Sequence, residues 1–284
     1  MTPGAHTFPA PAKLNLMLRV VGRRSDGYHL LETVFRFLDH GDEVRISVRR
    51  DGEIRRVREL AGVAADDDLT MRAAHLLKQE TGAPLGADID VTKRLPLGSG
   101  LGGGSSDAAT VLLALNRLWD TGLSRAQLQA LGLQLGADVP VFVFGASAFG
   151  EGIGASLQPV LLPPAWYLVL TPPVSVATPR IFAHPDLKRD SKTIKIQGFS
   201  VGGLAKYAAN DLESLVCRLY PEVTRHLDWL KQHGPALMTG SGAAVFASFE
   251  AEDAARALMA QLPATMSGFV ARGLDEHPLR DLAH

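Results

Sequence analysis

Cysteine, long apolar runs and net charge are all scarce in this sequence of 284 residues. Cys217 is the only cysteine, which excludes an intramolecular disulfide and a zinc site of the Cys-x-x-Cys type and is typical of a reducing compartment. No run of about 18 apolar residues occurs, so no segment is expected to span a membrane. The formal net charge is −1, so no overall basic field attracts nucleic acid. We therefore expect a cytoplasmic protein with neither a membrane nor nucleic acid as its partner.

Several familiar enzyme motifs are also missing. The sequence has no GxxxxGK[ST] phosphate loop, no HRD or DFG of the protein kinases, no HExxH and no GxSxG. Its nine histidines show no metal-ligand spacing, so the metal ligands stay unknown. The hydrophobic share of 46% is ordinary for a globular protein. A chain of this length is expected to form two domains.

The densest glycine run lies in residues 95–109, LPLGSGLGGGSSDAA. A helical pattern of apolar residues follows from Ala108 to Trp119. A glycine loop that leads into a helix presents free backbone N–H groups and a partial positive charge, which suits phosphate. A flexible loop before a capped helix explains the same letters, and the run alone leaves both interpretations open.

The same run formally matches the dinucleotide fingerprint GxGxxG, but its context does not fit. A dinucleotide site needs a strand, a turn, a helix and then a second strand with an acidic end. Here the first helix is followed by a second, opened by the capping box Ser124 to Gln127, and Pro96 precedes the glycines. The match is therefore weak evidence for a dinucleotide site.

Residues 12–21 are predicted to form a strand, since leucines alternate with polar residues. Period two places Lys13 and Asn15 on the face opposite the leucines, where the ammonium could enter a cleft. A solvated lysine at a sheet edge explains the same pattern, and the pattern alone favours it. Asp138 precedes Pro140, which is expected to open a short helix, so Asp138 is either a helix cap or a catalytic carboxylate.

The second half of the chain alternates strands and helices, which predicts an α+β layer of ferredoxin-like type. Thr178 is expected to be the N-cap of a helix that has Pro179 as its first residue and carries Phe182. Residues 183–206 are polar and basic, and they are interpreted as a mobile surface loop without an assigned function.

Three motifs in matching order resemble the GHMP kinases, the small-molecule kinases named for galactose, homoserine, mevalonate and phosphomevalonate. They are PAKLNL from Pro11 with RSDGYH from Arg24, then the glycine run from Pro96, then LGADVP from Leu135. The likeness covers nearly the whole chain. It implies an α+β fold in two domains: an ATP-binding domain like the second domain of ribosomal protein S5 in residues 1–160, and a ferredoxin-like substrate domain in residues 161–284.

The resemblance also implies a reaction and its participants. ATP, with Mg²⁺, is expected to phosphorylate a small-molecule alcohol in the cleft between the domains. The flanking motifs favour the branch of the family that acts on the C2 hydroxyl of a cytidine diphosphate-linked methylerythritol, in isoprenoid synthesis without mevalonate. The protein is expected to be a monomer or a weak homodimer.

Individual roles follow from the resemblance at matching positions. Asp138 is expected to be the general base, and Lys13 to hold the base and the hydroxyl in register. The residues expected to hold the ATP phosphates are Pro96, Leu97, Gly98, Ser99, Gly100, Leu101, Gly102, Gly103, Gly104, Ser105 and Ser106.

A second group of residues is expected to bind the substrate. Tyr28 and Phe182 are expected to enclose the cytosine ring, while His29 bonds its edge. Asn15 and Thr178 are expected to line the site, and the turn containing Gly240 and Ser241 to lie beside the reacting end.

Two alternatives remain at this stage. Another GHMP kinase, of the homoserine or mevalonate type, shares the glycine run but has no nucleobase to bind with aromatic residues. A nucleotide-binding module without catalysis would keep the loop but would not need Lys13 and Asp138.

Overall fold

The structure is a computed structural model that describes residues 4–194 and 208–283. Within these residues, ten strands form one continuous sheet, along which β3, β4, β2, β10, β7, β9 and β8 are neighbours in that order. Strand β1 pairs with β2, and β5 pairs with β2 and β6. The strands are β1 (His6–Arg23), β2 (His29–Arg49), β3 (Ile54–Arg56), β4 (Gly86–Thr92), β5 (Ala148–Gly152), β6 (Ser156–Pro159), β7 (Trp166–Leu170), β8 (Ala236–Met238), β9 (Val245–Phe249) and β10 (Gly268–Leu274).

Eight α-helices cover this sheet within the same residues, and the α+β expectation is confirmed. They are α1 (Leu69–Thr81), α2 (Gly103–Leu118), α3 (Arg125–Leu135), α4 (Val139–Phe144), α5 (Thr178–Ala183), α6 (Glu213–Leu219), α7 (Pro221–Lys231) and α8 (Glu252–Met259). Buried apolar residues of α2, α4 and the first strands form one core cluster, and those of α6, α7 and β7–β9 form another.

The hairpin of β1 and β2 is longer and less regular than the sequence predicts. The predicted strand at 12–21 is the middle of β1, and β1 carries an extra residue between Asn15 and Met17. This bulge shifts the alternation by one residue. Leu18, rather than Met17, therefore lines the same cleft as Lys13 and Asn15.

The helix after the glycine run begins earlier than predicted. It starts at Gly103 rather than near Ala108, so the second half of the run forms the first helical turn. The residue before it, Gly102, has a φ of 75°, a left-handed conformation that glycine adopts without strain. The predicted capping box of α3 is confirmed, with Ser124 and Gln127 bonded reciprocally.

The two halves of the chain meet at β10. This strand pairs with β7 of the second half along Gly268–Arg272 and with β2 of the first half at Gly273 and Leu274. Beyond it, the guanidinium of Arg125 in α3 donates hydrogen bonds to the carbonyl oxygens of Arg280 and Ala283. The last described residues therefore pack against the first half, although the sequence-based division assigns them to the second domain.

The interpretation of 183–206 as a mobile loop is not supported for its first part. Leu187 and Ile194 are buried, and the backbone N–H of Ser191 donates to the carbonyl oxygen of Val20. Residues 195–206 lie outside the described residues. Of the helices that the structure describes, none is long and apolar enough to cross a membrane.

Gly41 of β2 provides a test of the hairpin that carries Lys13. A Cβ atom at Gly41 would lie 2.2 Å from the carbonyl oxygen of Ala10 and 2.6 Å from Cα of Pro11, and both are backbone atoms that cannot move independently. We expect Gly41→Ala to lower the free energy of unfolding by at least about 2 kcal/mol, measured by urea denaturation. Gly4→Ala is the matched control, because a Cβ there would have no atom of the described residues within 4 Å apart from its own chain neighbours. Equal stability of the two variants would contradict the close approach.

Candidate active site

A cleft of about 380 Å³ lies where β1, the glycine run, α4 and α5 converge. Lys13 and Asn15 line it from β1, and Asp138 lines it from the start of α4. Gly240 and Ser241, in the turn between β8 and β9, close it from the second half of the chain. Both halves of the sequence therefore contribute to one site, as the resemblance implies.

The ammonium group of Lys13 is the central charge of this cleft. Only 2% of the residue is exposed, so a solvated lysine is excluded. Its Nζ lies 3.2 Å from Oδ2 of Asp138 and donates to Oδ1 of Asn15 at 2.5 Å and to the carbonyl oxygen of Gly100 at 3.0 Å. An ammonium has three donors, so each of them has an acceptor. The position of Nζ is therefore fixed from three directions.

Thr33, which the sequence analysis did not identify, fixes the orientation of Asn15. Its hydroxyl donates to the carbonyl oxygen of Met17 at 2.6 Å and accepts from Nδ2 of Asn15 at 2.8 Å. Because the single hydroxyl proton is already used, Thr33 can only accept from Asn15. The amide oxygen of Asn15 is thereby turned toward Lys13.

Asp138 precedes α4, but its side chain caps no backbone N–H of that helix. Its carboxylate points instead into the cleft toward Lys13, with 39% of the side chain exposed. The next residues, Val139 and Pro140, are fully buried. A Cβ at Gly132 of α3 would lie 2.8 Å from Cγ1 of Val139. The close approach of α3 and α4 therefore holds Asp138 in place. The residue occupies the N-cap position of α4, as the cap interpretation expects, but its carboxylate makes no capping hydrogen bond and pairs with Lys13 instead.

The N-terminus of α2 is open toward the cleft. The helices α1 and α3 are capped by the side chains of Asp68 and Ser124, whereas the N-cap of α2 is Gly102, which has no side chain to offer. The first N–H groups of an α-helix have no acceptor within the helix. At α2 they belong to residues 103–105, which line the cleft. This end of the helix can therefore bind an anion such as phosphate.

The glycine loop before α2 is held by backbone contacts. Ala244 donates its N–H to the carbonyl oxygen of Ser99, and Val176 donates to that of Gly98. Gly100 has a φ of 78°, and a Cβ there would lie 2.4 Å from the carbonyl oxygen of Thr239. Two glycine turns from different halves of the chain thus touch through their backbones, which side chains would prevent.

Most of the residues predicted to hold phosphate reach the cleft, and two do not. Leu101 and Ser106 are fully buried, and neither lines the cleft. The other nine residues line it: Pro96, Leu97, Gly98, Ser99, Gly100, Gly102, Gly103, Gly104 and Ser105.

A buried charge cluster holds the chain where it enters the glycine loop. Lys93 forms ion pairs with Asp42 and with Asp107, the latter at 2.8 Å, and it also lines the cleft. Asp42 accepts the backbone N–H groups of Arg94 and Leu95 through its other oxygen. Burial raises the pKa of Asp107 to about 7, with Lys93 opposing the shift and Asp42 adding to it. One cation thus faces two carboxylates, so a proton is favoured on Asp107.

A second cavity of about 500 Å³ adjoins the cleft. Tyr28, His29 and Phe182 line it, and the rings of His29 and Phe182 are 5.0 Å apart between centroids. Tyr28 is 63% exposed, so its ring is open to solvent. The residues shared by the two cavities are Leu31, Ala137, Ile153, Thr178 and Phe182. The cavities are therefore continuous, and the predicted substrate residues surround them.

Thr178 lines both cavities and contacts the turn that contains Gly240 and Ser241. Its hydroxyl lies 2.6 Å from that of Ser241. It is the first residue of α5 rather than the cap that the sequence predicts, because the cap is Ala177. Thr178, Ser241 and Gly240 are thus brought together at the wall of the cleft.

Comparison with known families matches both halves of the chain to one family. The GHMP kinases N terminal domain matches residues 68–146, and the GHMP kinases C terminal domain matches residues 196–268. The solved structure of a 4-(cytidine 5'-diphospho)-2C-methyl-D-erythritol kinase has 35% identity and a TM-score of 0.81, covering 94% of this chain and 99% of that one. A mevalonate kinase structure has 15% identity and a TM-score of 0.69, covering 95% of this chain and 100% of that one, and shows the fold alone. The expected fold is confirmed.

Curated relatives are similar over almost their full length. The 4-diphosphocytidyl-2-C-methyl-D-erythritol kinase of Thiobacillus denitrificans is 61% identical over 277 residues, covering 98% of both chains. The protein of the same name from Nitrosospira multiformis is 57% identical, covering 97% of this chain and 93% of its own. Both relatives carry the name of one kinase within the wider family.

The orientation of Asn15 can be tested at Thr33. We expect Thr33→Val to lower turnover and to destabilise the protein by about 1–3 kcal/mol, because a buried carbonyl and a buried amide lose their partner. Thr33→Ser keeps the hydroxyl and is the control. Steady-state kinetics and urea denaturation measure the two effects, and a Thr33→Val protein with the turnover of Thr33→Ser would refute the role of the hydroxyl.

The buried cluster predicts a stability that depends on pH. The pKa of Asp107 in the folded protein, about 7, is above its ordinary value of 3.8, so folding takes up a proton between these values and stability falls as the pH rises through them. Asp107→Asn removes the buried negative charge, so we expect it to be more stable than the wild type at pH 8 and equally stable near pH 4. Thermal unfolding at both pH values measures this, and a variant that is less stable at pH 8 would contradict it.

Proposed function

The chain belongs to the GHMP kinase family and within it to the 4-diphosphocytidyl-2-C-methyl-D-erythritol kinases, and we propose how its cleft carries out their reaction. The protein is a kinase that transfers a phosphoryl group from ATP to a cytidine diphosphate-linked methylerythritol. The acceptor in our proposal is the C2 hydroxyl of the methylerythritol. The observation that carries the proposal is the ion pair of Lys13 and Asp138 beside the open N-terminus of α2.

The shape of the site supports one arrangement of the two substrates. The triphosphate lies against residues 103–105, where backbone N–H groups and the helix dipole favour negative charge. The cytosine lies in the second cavity between Tyr28 and Phe182, with His29 at its edge. Because the cavities are continuous, the methylerythritol spans the region from Thr178 to Asp138.

Asp138 is the general base in this proposal. It is the only carboxylate that lines the main cleft among the described residues. Its free oxygen accepts the proton of the hydroxyl as the substrate oxygen bonds to the γ-phosphorus; the bond between that phosphorus and the bridging oxygen breaks, and ADP leaves. The ammonium of Lys13 balances the carboxylate charge and fixes its position.

Electrostatic stabilisation comes from groups that are already in place. The transferring phosphoryl group carries negative charge, and both the N-terminus of α2 and Lys13 present positive charge toward the cleft. Lys93 lines the same cleft below the glycine loop. Since these groups are held by the fold, little reorganisation is needed when the charge moves.

Mg²⁺ is proposed as the companion of ATP. Within the residues that the structure describes, no group of three or more His, Cys, Asp and Glu side chains is arranged to hold a metal ion. Mg²⁺ commonly binds through one or two carboxylates together with substrate phosphates. The hydroxyl of Ser105 lines the cleft and would hold such an ion together with the phosphates of ATP, whose charge the ion would neutralise.

The alternative substrates fit the site less well. Homoserine and mevalonate have no ring for Tyr28, His29 and Phe182 to contact, so the second cavity would have no purpose. A module that binds nucleotide without catalysis would not require a buried lysine that is paired with a carboxylate in the cleft.

Substitution of the base tests the mechanism. We expect Asp138→Asn to lower kcat by about 10²- to 10⁴-fold, the usual contribution of a general base, because the amide cannot accept the proton. ADP release with the diphosphocytidyl substrate and Mg²⁺ is the measurement. Asp228→Asn, at an exposed position of α7, controls for the change of charge.

The outcome has two parts that can be separated. Full activity of a folded Asp138→Asn protein would eliminate the base role while leaving the substrate assignment intact. A preference of the wild type for mevalonate or homoserine over the diphosphocytidyl substrate would overturn the substrate assignment itself.

A further inference from the structure

Arg189 lies in the basic segment to which the sequence analysis assigned no function. Its guanidinium donates to four backbone carbonyl oxygens between residues 182 and 187. They belong to Phe182 (3.0 Å), His184 (2.7 Å), Leu187 (2.9 Å) and Pro185 (3.4 Å). Its Nε donates to Nε2 of His29 at 2.9 Å. A guanidinium has five N–H donors, and all of them are therefore used within the protein.

This arrangement determines which atoms of His29 carry a proton. A guanidinium can only donate, so Nε2 of His29 must be an unprotonated acceptor. In a neutral imidazole the proton is then on Nδ1. Nδ1 has no hydrogen-bond partner among the described residues, and His29 lines the nucleobase cavity.

The charges around His29 keep its ring neutral. Burial, Arg189 and Arg23 all lower its pKa. The other cation of the loop that contains Arg23 is Arg24, and it is paired with Asp26 at 2.8 Å. The cavity therefore presents an N–H donor at His29 rather than a cation or an acceptor.

We propose that Arg189 sets the hydrogen-bonding polarity of His29 and thereby makes the cavity select cytosine over uracil. The inference rests on the proposed function, since it assumes that the cavity holds the nucleobase. Cytosine has an unprotonated ring nitrogen, N3, which accepts a hydrogen bond, whereas uracil carries a proton at N3. The Nδ1–H of His29 can donate a hydrogen bond to N3 of cytosine, whereas at uracil it would face another donor, the N3–H.

The same residue also links two sides of the cavity. One guanidinium bonds both the ring of His29 and the backbone of Phe182, which form two sides of the base site. Arg189 is thus a positioning residue, because its own donors are used and none remains for the substrate. Its loss is expected to affect recognition of the base rather than phosphoryl transfer.

The protonation of His29 can be measured directly in the wild-type protein. Long-range ¹H–¹⁵N NMR of the histidine rings distinguishes the two neutral forms, and His29→Phe identifies the signals of His29 by their disappearance. We expect the form protonated at Nδ1. Protonation at Nε2 would overturn the proposal, and this result does not depend on any Arg189 variant folding.

Kinetics test the consequence for selectivity. We expect the ratio of kcat/KM for the cytidine substrate to that for its uridine counterpart to fall by about 10- to 100-fold in Arg189→Met. Without Arg189, the proton of His29 is no longer held on Nδ1, so the preference for cytosine N3 is lost. The change is expected in KM for the cytidine substrate, with kcat kept. Arg218→Met is the matched control, since Arg218 pairs with Asp186 of the same segment at 3.3 Å without touching His29.

The outcomes separate this inference from the proposed function. An unchanged ratio in Arg189→Met, or an equal loss with both substrates, would refute the role of Arg189. Absence of turnover by the wild type with either substrate would instead refute the proposed function. If Arg189→Met does not fold, the NMR result on the wild type decides.

Discussion

The ammonium of Lys13 is the interaction on which the site depends, because its three acceptors come from three parts of the chain. Asn15 is its neighbour on β1, Gly100 belongs to the glycine loop, and Asp138 begins α4. A buried cation is tolerated only when it is paired and hydrogen-bonded. Burial of Lys13 therefore requires these three segments to be in place together, and the phosphate cradle and the base are assembled by one charge.

The contact between the two glycine turns extends this assembly across the molecule. Gly100 approaches the carbonyl oxygen of Thr239 so closely that a Cβ would be 2.4 Å away. Thr239 in turn accepts the backbone N–H of Asn15 through its hydroxyl. The second half of the chain is thus attached to the phosphate loop and to the strand that carries Lys13. We infer that the two proposed domains are held at the cleft by the same atoms that define it.

The sequence predicted those features that depend on local chemistry. The capping box of α3 and the face shared by Lys13 and Asn15 follow from residue type and spacing, and both are present. The bulge after Asn15 was not predictable, since alternation continues through it in the sequence. Arg189 was missed for a related reason: four of its five donors meet backbone carbonyls, which every residue possesses, so no motif marks them.

The distribution of hydrogen-bond donors in the site explains why some of its features were predicted from the sequence and others were not. The side-chain donors of Lys13, Thr33 and Arg189 are all used by acceptors inside the protein, so they fix the polarity and position of Asp138, Asn15 and His29. The open donors are instead backbone N–H groups at the start of α2, where glycine leaves room for a ligand. Binding to the open donors produces a recognisable glycine motif, while internal positioning leaves no sequence pattern. A sequence therefore shows where the phosphate binds more readily than what makes the substrate specific.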